Sequence, residues 1–195
     1  MRNLPGLAAL LAVAACAGCG SSPKASFYTL STGAPLRPVA APAPYRVAIG
    51  AVTVPDVVDR PQIVTRSGAN QVTLDEFARW AEPLKSDIPR VIAASLARDL
   101  DGALVSTYPQ STTIGADCRV QIAVQRFDSA PNDAATVEVL WTVKPARGAA
   151  QPGRSGVREA TGGPGYDALV AAHSRALDAV GRDIAAAVRA TCAKP

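Results

Sequence analysis

Two stretches of strict alternation constrain this chain more than anything else in it. Cys118, Val120, Ile122 and Val124 take every second position between polar residues, and Val137, Val139, Trp141 and Val143 do the same a short distance on. A period of two puts all these side chains on one face of an extended strand. Pro131-Asn132 lies between the stretches and supplies turn chemistry, so the pair predicts a hairpin with one buried face. That face has to be covered. The covering elements are legible as helices. Leu84, Ile88, Val91, Ile92, Leu96 and Leu100 form one apolar stripe, and Leu169, His173, Leu177, Val180, Ile184 and Val188 form another. Helices over about 84–101 and 166–190 laid on a largely antiparallel sheet give an α+β domain.

Further strands are predicted over 46–54, 62–66, 71–74 and 156–161. The apolar positions of the first change parity between Ile49 and Val52, which marks Gly50 as a bulge or a close approach. Ser67 to Asn70 joins the second and third as a glycine-containing hairpin loop. Pro89 sits awkwardly in the first helix; a start capped by Ser86 would place it in the first turn, where backbone donors are free in any case. Residues 77–84 read as irregular chain.

Ahead of this domain, an apolar run from Leu7 to Ala15 follows Arg2 and ends in small residues and cysteine. It is too short for the roughly 20 residues of a spanning helix. It has the n-region, h-region and cleavage region of an export signal, and the cysteine makes it a bacterial lipoprotein signal. The chain divides into a signal peptide over 1–18, a Pro/Ala-rich tether over 19–44 and a domain over 45–195. Within the tether, Phe27 to Leu30 is an ordered patch suited to adding an edge strand or docking on the domain. A diacylglyceryl group and an N-acyl chain, at ~0.8 kcal/mol per buried methylene, anchor such a protein effectively permanently.

Two cysteines compete for the lipid. Val13 stands three residues before Cys16 and favours it by the local rule. The thiol count favours Cys19: cleavage there discards Cys16 and leaves Cys118 and Cys192 as an even pair in an oxidising compartment. Cys19 is therefore the expected acceptor, with Cys16 the alternative, and Cys118–Cys192 the expected disulfide. Neither Cys16 nor Cys19 is followed by Asp, the residue that retains lipoproteins at the inner membrane.

The rest of the composition is sparing with chemistry. Removing Arg2 leaves 19 basic against 16 acidic side chains, scattered singly, which gives no footing for nucleic acid. The one histidine, His173, falls on an apolar helical stripe and reads as a core residue with one hydrogen bond. Cys118 and Cys192 lack metal-ligand spacing. Gly162-Gly-Pro-Gly165 lacks the lysine of a phosphate loop and reads as a turn into the helix. No enzyme, cofactor or metal is expected. One region stands out, where Asp59, Arg60, Pro61 and Gln62, then Arg79, Trp80 and Glu82, gather charge, proline and an aromatic. It is read either as local pairing of Asp59 with Arg60 around a core Trp80, or as an interface, for which Trp and Arg are favoured residues.

The order Val54-Pro55, Asp59 to Val64, Arg66, Asn70 and Arg79 to Leu84 resembles the ABC-type transport auxiliary lipoproteins, the PqiC-like family. The cysteine-bearing signal followed by Phe27 to Leu30, then Val124 to Phe127, Trp141 and Gly165 to Ser174, extends the resemblance nearly end to end. The setting of Cys19 also fits that family better than that of Cys16. The resemblance implies a periplasm-facing outer-membrane lipoprotein serving an MCE-type intermembrane lipid-transport system, with an MCE-domain protein as partner and a homo-oligomeric ring as its assembly. Two other functions are weighed beside this one. They are a phospholipid carrier with its own cavity and an envelope scaffold unrelated to transport.

Overall fold

The computed structural model describes residues 23–33, 45–112 and 115–192. The signal peptide, Cys16, Cys19 and the tether over 34–44 lie outside the described residues. The predicted hairpin is the longest feature of the sheet: β6 (Cys118–Ala130) pairs antiparallel with β7 (Ala134–Pro145) from Cys118↔Pro145 to Ala130↔Ala134. Its turn is held by Asp133 N–H donating to the Ala130 carbonyl at 3.1 Å, with Asn132 in the left-handed region at φ 60°. The buried parity of β6 switches after Val124 to Phe127 and Ser129, because the register slips between Val124 and Arg126. β8 (Gln151–Ala160) pairs antiparallel with β7 along its whole length, and so is longer than the weak strand predicted over 156–161.

On the other side of β6 the sheet turns parallel. β2 (Arg46–Ile49) pairs parallel with both β6 and β5 (Leu104–Ser106), giving the order β5-β2-β6-β7-β8. The sheet is therefore mixed: its long β6–β7 and β7–β8 ladders are antiparallel as expected, its short β2 ladders are parallel, and β5 is a strand the sequence did not reveal. The predicted strand over 46–54 breaks where its parity changes. Ile49 lies opposite Val120 and Thr53 opposite Ala123, so four residues advance against three. Gly50 N–H still bonds the Val120 carbonyl at 2.9 Å. The bulge turns Val52 and Val54 inward with Val47 and Ile49.

A second sheet, ordered β1-β4-β3, is formed by β1 (Ser26–Tyr28), β3 (Gln62–Arg66) and β4 (Val72–Trp80). β1 runs parallel to β4 and β3 runs antiparallel to it. Residues 77–80 thus belong to a strand, not to irregular chain. Their alternation is hidden by a bulge: Ile63 pairs with Asp75 but Gln62 with Arg79. The Asp75 carboxylate fills the gap by accepting Phe77 N–H at 2.8 Å and Ala78 N–H at 3.1 Å. The ordered patch at Phe27 to Leu30 does both things expected of it, since β1 pairs at an edge and Leu30 is buried.

Two helices, α1 (Leu84–Asp99) and α2 (Gly165–Cys192), pack on each other and on the larger sheet. All six apolar positions of the α1 stripe are buried, and so are all six of α2. The start of α1 departs from expectation. The helix begins directly after Pro83, which accepts from Ser86 and Asp87 N–H, and Pro89 lies inside it rather than in the first turn. Pro89 leaves one helical bond unmade, opposite the exposed Lys85, while its ring adds to the core. The helices meet at Gly181, where a Cβ would stand 2.5 Å from that of Ser95. Cys118 on β6 and Cys192 at the end of α2 form the expected disulfide, with Cα atoms 6.1 Å apart.

Candidate functional site

The small sheet carries the two segments that the sequence singled out. Asp59 to Gln62 leads into β3 and Arg79 to Glu82 leads out of β4. The structure sets them side by side, with Gln62 opposite Arg79 and Trp80 N–H donating to the Pro61 carbonyl at 2.7 Å. Gln62 Nε2 and Arg79 Nη2 both donate to the carboxylate of Glu76, at 3.1 and 3.3 Å. Asp59 takes Lys85 at the head of α1, at 2.5 Å, rather than Arg60. Arg60, Pro61 and Glu82 are exposed. Trp80 is not: it is 5 % exposed and meets Phe127 edge to face at 6.1 Å. The tryptophan holds the sheet to the core, and its neighbours are what a partner could touch.

The third strand of this sheet is the one that leads back toward the amino terminus, and its hold on the domain was not legible in sequence. Asp87, in the first turn of α1, is 1 % exposed. Its carboxylate accepts Leu30 N–H at 2.8 Å and Thr29 Oγ1–H at 3.3 Å, and it also pairs with Arg90. Arg90 in turn donates to the Leu30 carbonyl at 2.5 Å. Ser31 N–H donates to Ser174 Oγ on α2 at 3.0 Å, and Ala81 N–H to the Tyr28 carbonyl at 2.7 Å. A buried carboxylate is stable only when such partners surround it. The sole sequence hint was an acidic residue in a first helical turn with Arg three residues on, a pattern common in ordinary surface helices.

A nucleophile–base geometry does exist. Ser129 Oγ lies 2.8 Å from His173 Nε2, and Phe127 stacks on the imidazole at 4.0 Å. Both residues are buried, however, with His173 0 % exposed, so no substrate reaches the pair. Burial pushes the His173 pKa down to about 3, against a slight opposing pull from Asp128, so the ring stays neutral. His173 has one hydrogen bond, as its place on the stripe implied, and is more completely enclosed than expected; its Nδ1 lacks a partner. A second internal chain runs from Trp141 Nε1–H to Ser155 Oγ at 3.0 Å and from Ser155 to Asp183 at 2.6 Å, tying β7 and β8 to α2. Tyr166 O–H donates to Asp75 at 2.9 Å; burial and that carboxylate together push its pKa up to about 12. Among the described residues there is no cluster of metal-ligating side chains, and no helix is long and apolar enough to cross a membrane.

The polar chains of this domain hold its parts together, and Arg60, Pro61 and Glu82 remain exposed beside them. The sequence matches the family of ABC-type transport auxiliary lipoprotein components over residues 28–185, and the chain belongs to that family. Two solved structures share the fold. One, of an uncharacterized protein, is 21% identical with a TM-score of 0.70, over 85% of this chain and 99% of its own. The other, from Xanthomonas campestris, is 19% identical with a TM-score of 0.62, over 83% of this chain and 93% of its own. No curated protein matches the sequence.

Proposed function

We propose that this protein is the lipid-anchored docking subunit of an MCE-type intermembrane lipid-transport system, acylated at Cys19 and held on the periplasmic face of the outer membrane. It would work as a homo-oligomer receiving the MCE-domain protein of an inner-membrane ABC transporter. Membership of the auxiliary lipoprotein family supports the role in transport. One observation carries the docking reading. The strand nearest the anchor, β1, and the surface of Asp59, Arg60, Pro61, Gln62, Arg79 and Glu82 belong to one three-stranded sheet. The strand that leads toward the anchor and the docking surface therefore move as one body. Photocrosslinking from position 60 in cells expressing the MCE protein is the test. A crosslinked adduct and co-purification support the reading; a monomer that captures no MCE protein overturns it.

The carrier alternative draws less support. The space between sheet and helices is filled by Ile49, Ile92, Leu96, Leu177 and Ile184, all fully buried. Among the described residues two clefts, of about 240 and 460 Å³, open on the surface. The smaller is apolar, beside Leu104 and Val105, and the larger is ringed by Arg175, Asp178 and Arg182. A phospholipid held with its acyl chains covered needs an enclosed apolar site. Native mass spectrometry of the protein separates the two readings by the presence or absence of bound phospholipid.

A further inference from the structure

Among the described residues eight large apolar side chains are exposed, and four of them, Phe27, Val72, Leu74 and Phe77, lie on β1 and β4. Phe27 is 65% exposed and Phe77 46%. The register explains their company. Ala78 and Trp80 point into the core, so Phe77 and Arg79 point out; Phe27 lies opposite Arg79, which sets the two phenylalanines diagonally across the β1–β4 pair. A cluster of this kind, where the other exposed apolar residues of the described chain are not on this sheet, marks a contact.

The parallel pairing says which contact. Moving from Phe27 back through Ser26 toward the amino terminus follows the same direction as moving from Arg79 back through Phe77, Leu74 and Val72. All four apolar residues thus lie on the side from which the amino-terminal chain arrives. Seven residue steps separate Ser26 from Cys19. Fully extended, they span at most about 25 Å. An acyl group at Cys19 keeps this end of the domain within that distance of the bilayer, and Lys24, exposed on the same approach, suits a phosphate-bearing surface.

We infer that the β1–β4 end of the domain rests on the lipid surface, with Phe27 and Phe77 entering the headgroup region and Val72 and Leu74 beside them. This rests on the lipid-anchor reading above. It also divides the sheet: Val72, Leu74 and Phe77 of β4 meet lipid with Phe27, Arg79 lies at the boundary opposite Phe27, and Asp59 to Pro61 with Glu82, beyond it, are left facing the periplasm for a protein partner. A partly anchored domain would otherwise swing freely about its tether; resting on these side chains fixes its tilt.

The test uses the full acylated protein in vesicles of phosphatidylethanolamine and phosphatidylglycerol. Spin labels are placed at F27C and F77C, with L140C on the exposed face of the other sheet as reference. We expect oxygen accessibility relative to a water-soluble nickel complex to be severalfold higher at 27 and 77 than at 140. Water-like values at both positions on an acylated chain overturn the inference and leave the anchor intact. Shielding at 27 and 77 that persists in a C19S form without vesicles also overturns it, because a second copy then covers the patch. Intact mass reads acylation separately: a chain without the acyl group overturns the anchor and this inference with it.

Discussion

The carboxylate of Asp87 accepts the backbone N–H of Leu30 at 2.8 Å, out of contact with water and across 57 residues of sequence. Replacing Asp87 by Ala leaves that N–H and the Thr29 hydroxyl without their acceptor and Arg90 without its carboxylate partner. Losing a buried charged partner of this kind costs about 2–4 kcal/mol. Urea unfolding of Asp87→Ala should show this loss. Amide exchange should rise at Tyr28 to Ser31 well before it rises at Val139.

Gly153 lies against the indole of Trp141, its register partner, so closely that a Cβ would stand 2.1 Å from the ring. Alanine there forces the indole off its place and away from Ser155. Gly153→Ala should destabilise by about 1–3 kcal/mol, the usual cost of overpacking. The tryptophan emission should shift to the red. Unchanged emission and unchanged stability would show that the strand can yield.

The folded pKa of His173, about 3, lies below its ordinary value of 6.5. The unfolded chain therefore takes up a proton that the folded one refuses. The contribution to stability is complete above pH 6.5 and declines as pH falls from 6.5 toward 3. Ordinary carboxylates titrate at 4.5 and below, so the interval from pH 6.5 to 5 belongs to histidine. Thermal melts across that interval should fall for the native protein and stay level for His173→Gln, whatever the absolute stability of the variant.

Cys118 and Cys192 close a loop with a sequence separation of 74. A crosslink of that span restricts the unfolded chain by about 4 kcal/mol in the loop-entropy account. The double variant C118A/C192A should unfold at correspondingly lower urea, and a reductant should then have no further effect on it.

Arg60 and Glu82 are exposed and sit at the mouths of β3 and β4. Reversing both, as R60E with E82K, should change stability by no more than about 0.5 kcal/mol, as for most surface sites. On the docking reading proposed above, capture of an MCE-domain protein should nevertheless be lost. Retained capture would move the docking surface elsewhere.

What could be read from residues alone follows how each part is specified. The β6–β7 hairpin and both helical stripes are local and periodic, and their buried positions were correctly named one by one. The Cys118–Cys192 pairing followed from thiol arithmetic. Parallel pairing leaves no such trace, because β1 meets β4 and β2 meets β5 across some fifty residues of unrelated chain. The bulges at Asp75 and after Ile49 break alternation, so β4 looked irregular and β2 looked longer than it is. Asp59 to Gln62 and Arg79 to Glu82 stand side by side, and Trp80 is the core residue that one of the two sequence readings makes it; that it packs on Phe127 no spacing reveals.

The grip on Leu30 has a mechanical side. Any load arriving through the chain ahead of Ser26 enters the fold along a strand laid parallel to its neighbour, then meets the Asp87 and Arg90 side chains of one helix and Ser174 of the other. Force along a strand stresses its ladder bonds together, where force across it would part them one at a time. A domain tugged by thermal motion of the membrane, or by a partner drawing on its far side, would thus share the strain among a sheet edge and both helices. In the lipid-anchored protein proposed above, the short first strand would work as a spliced joint between leash and body.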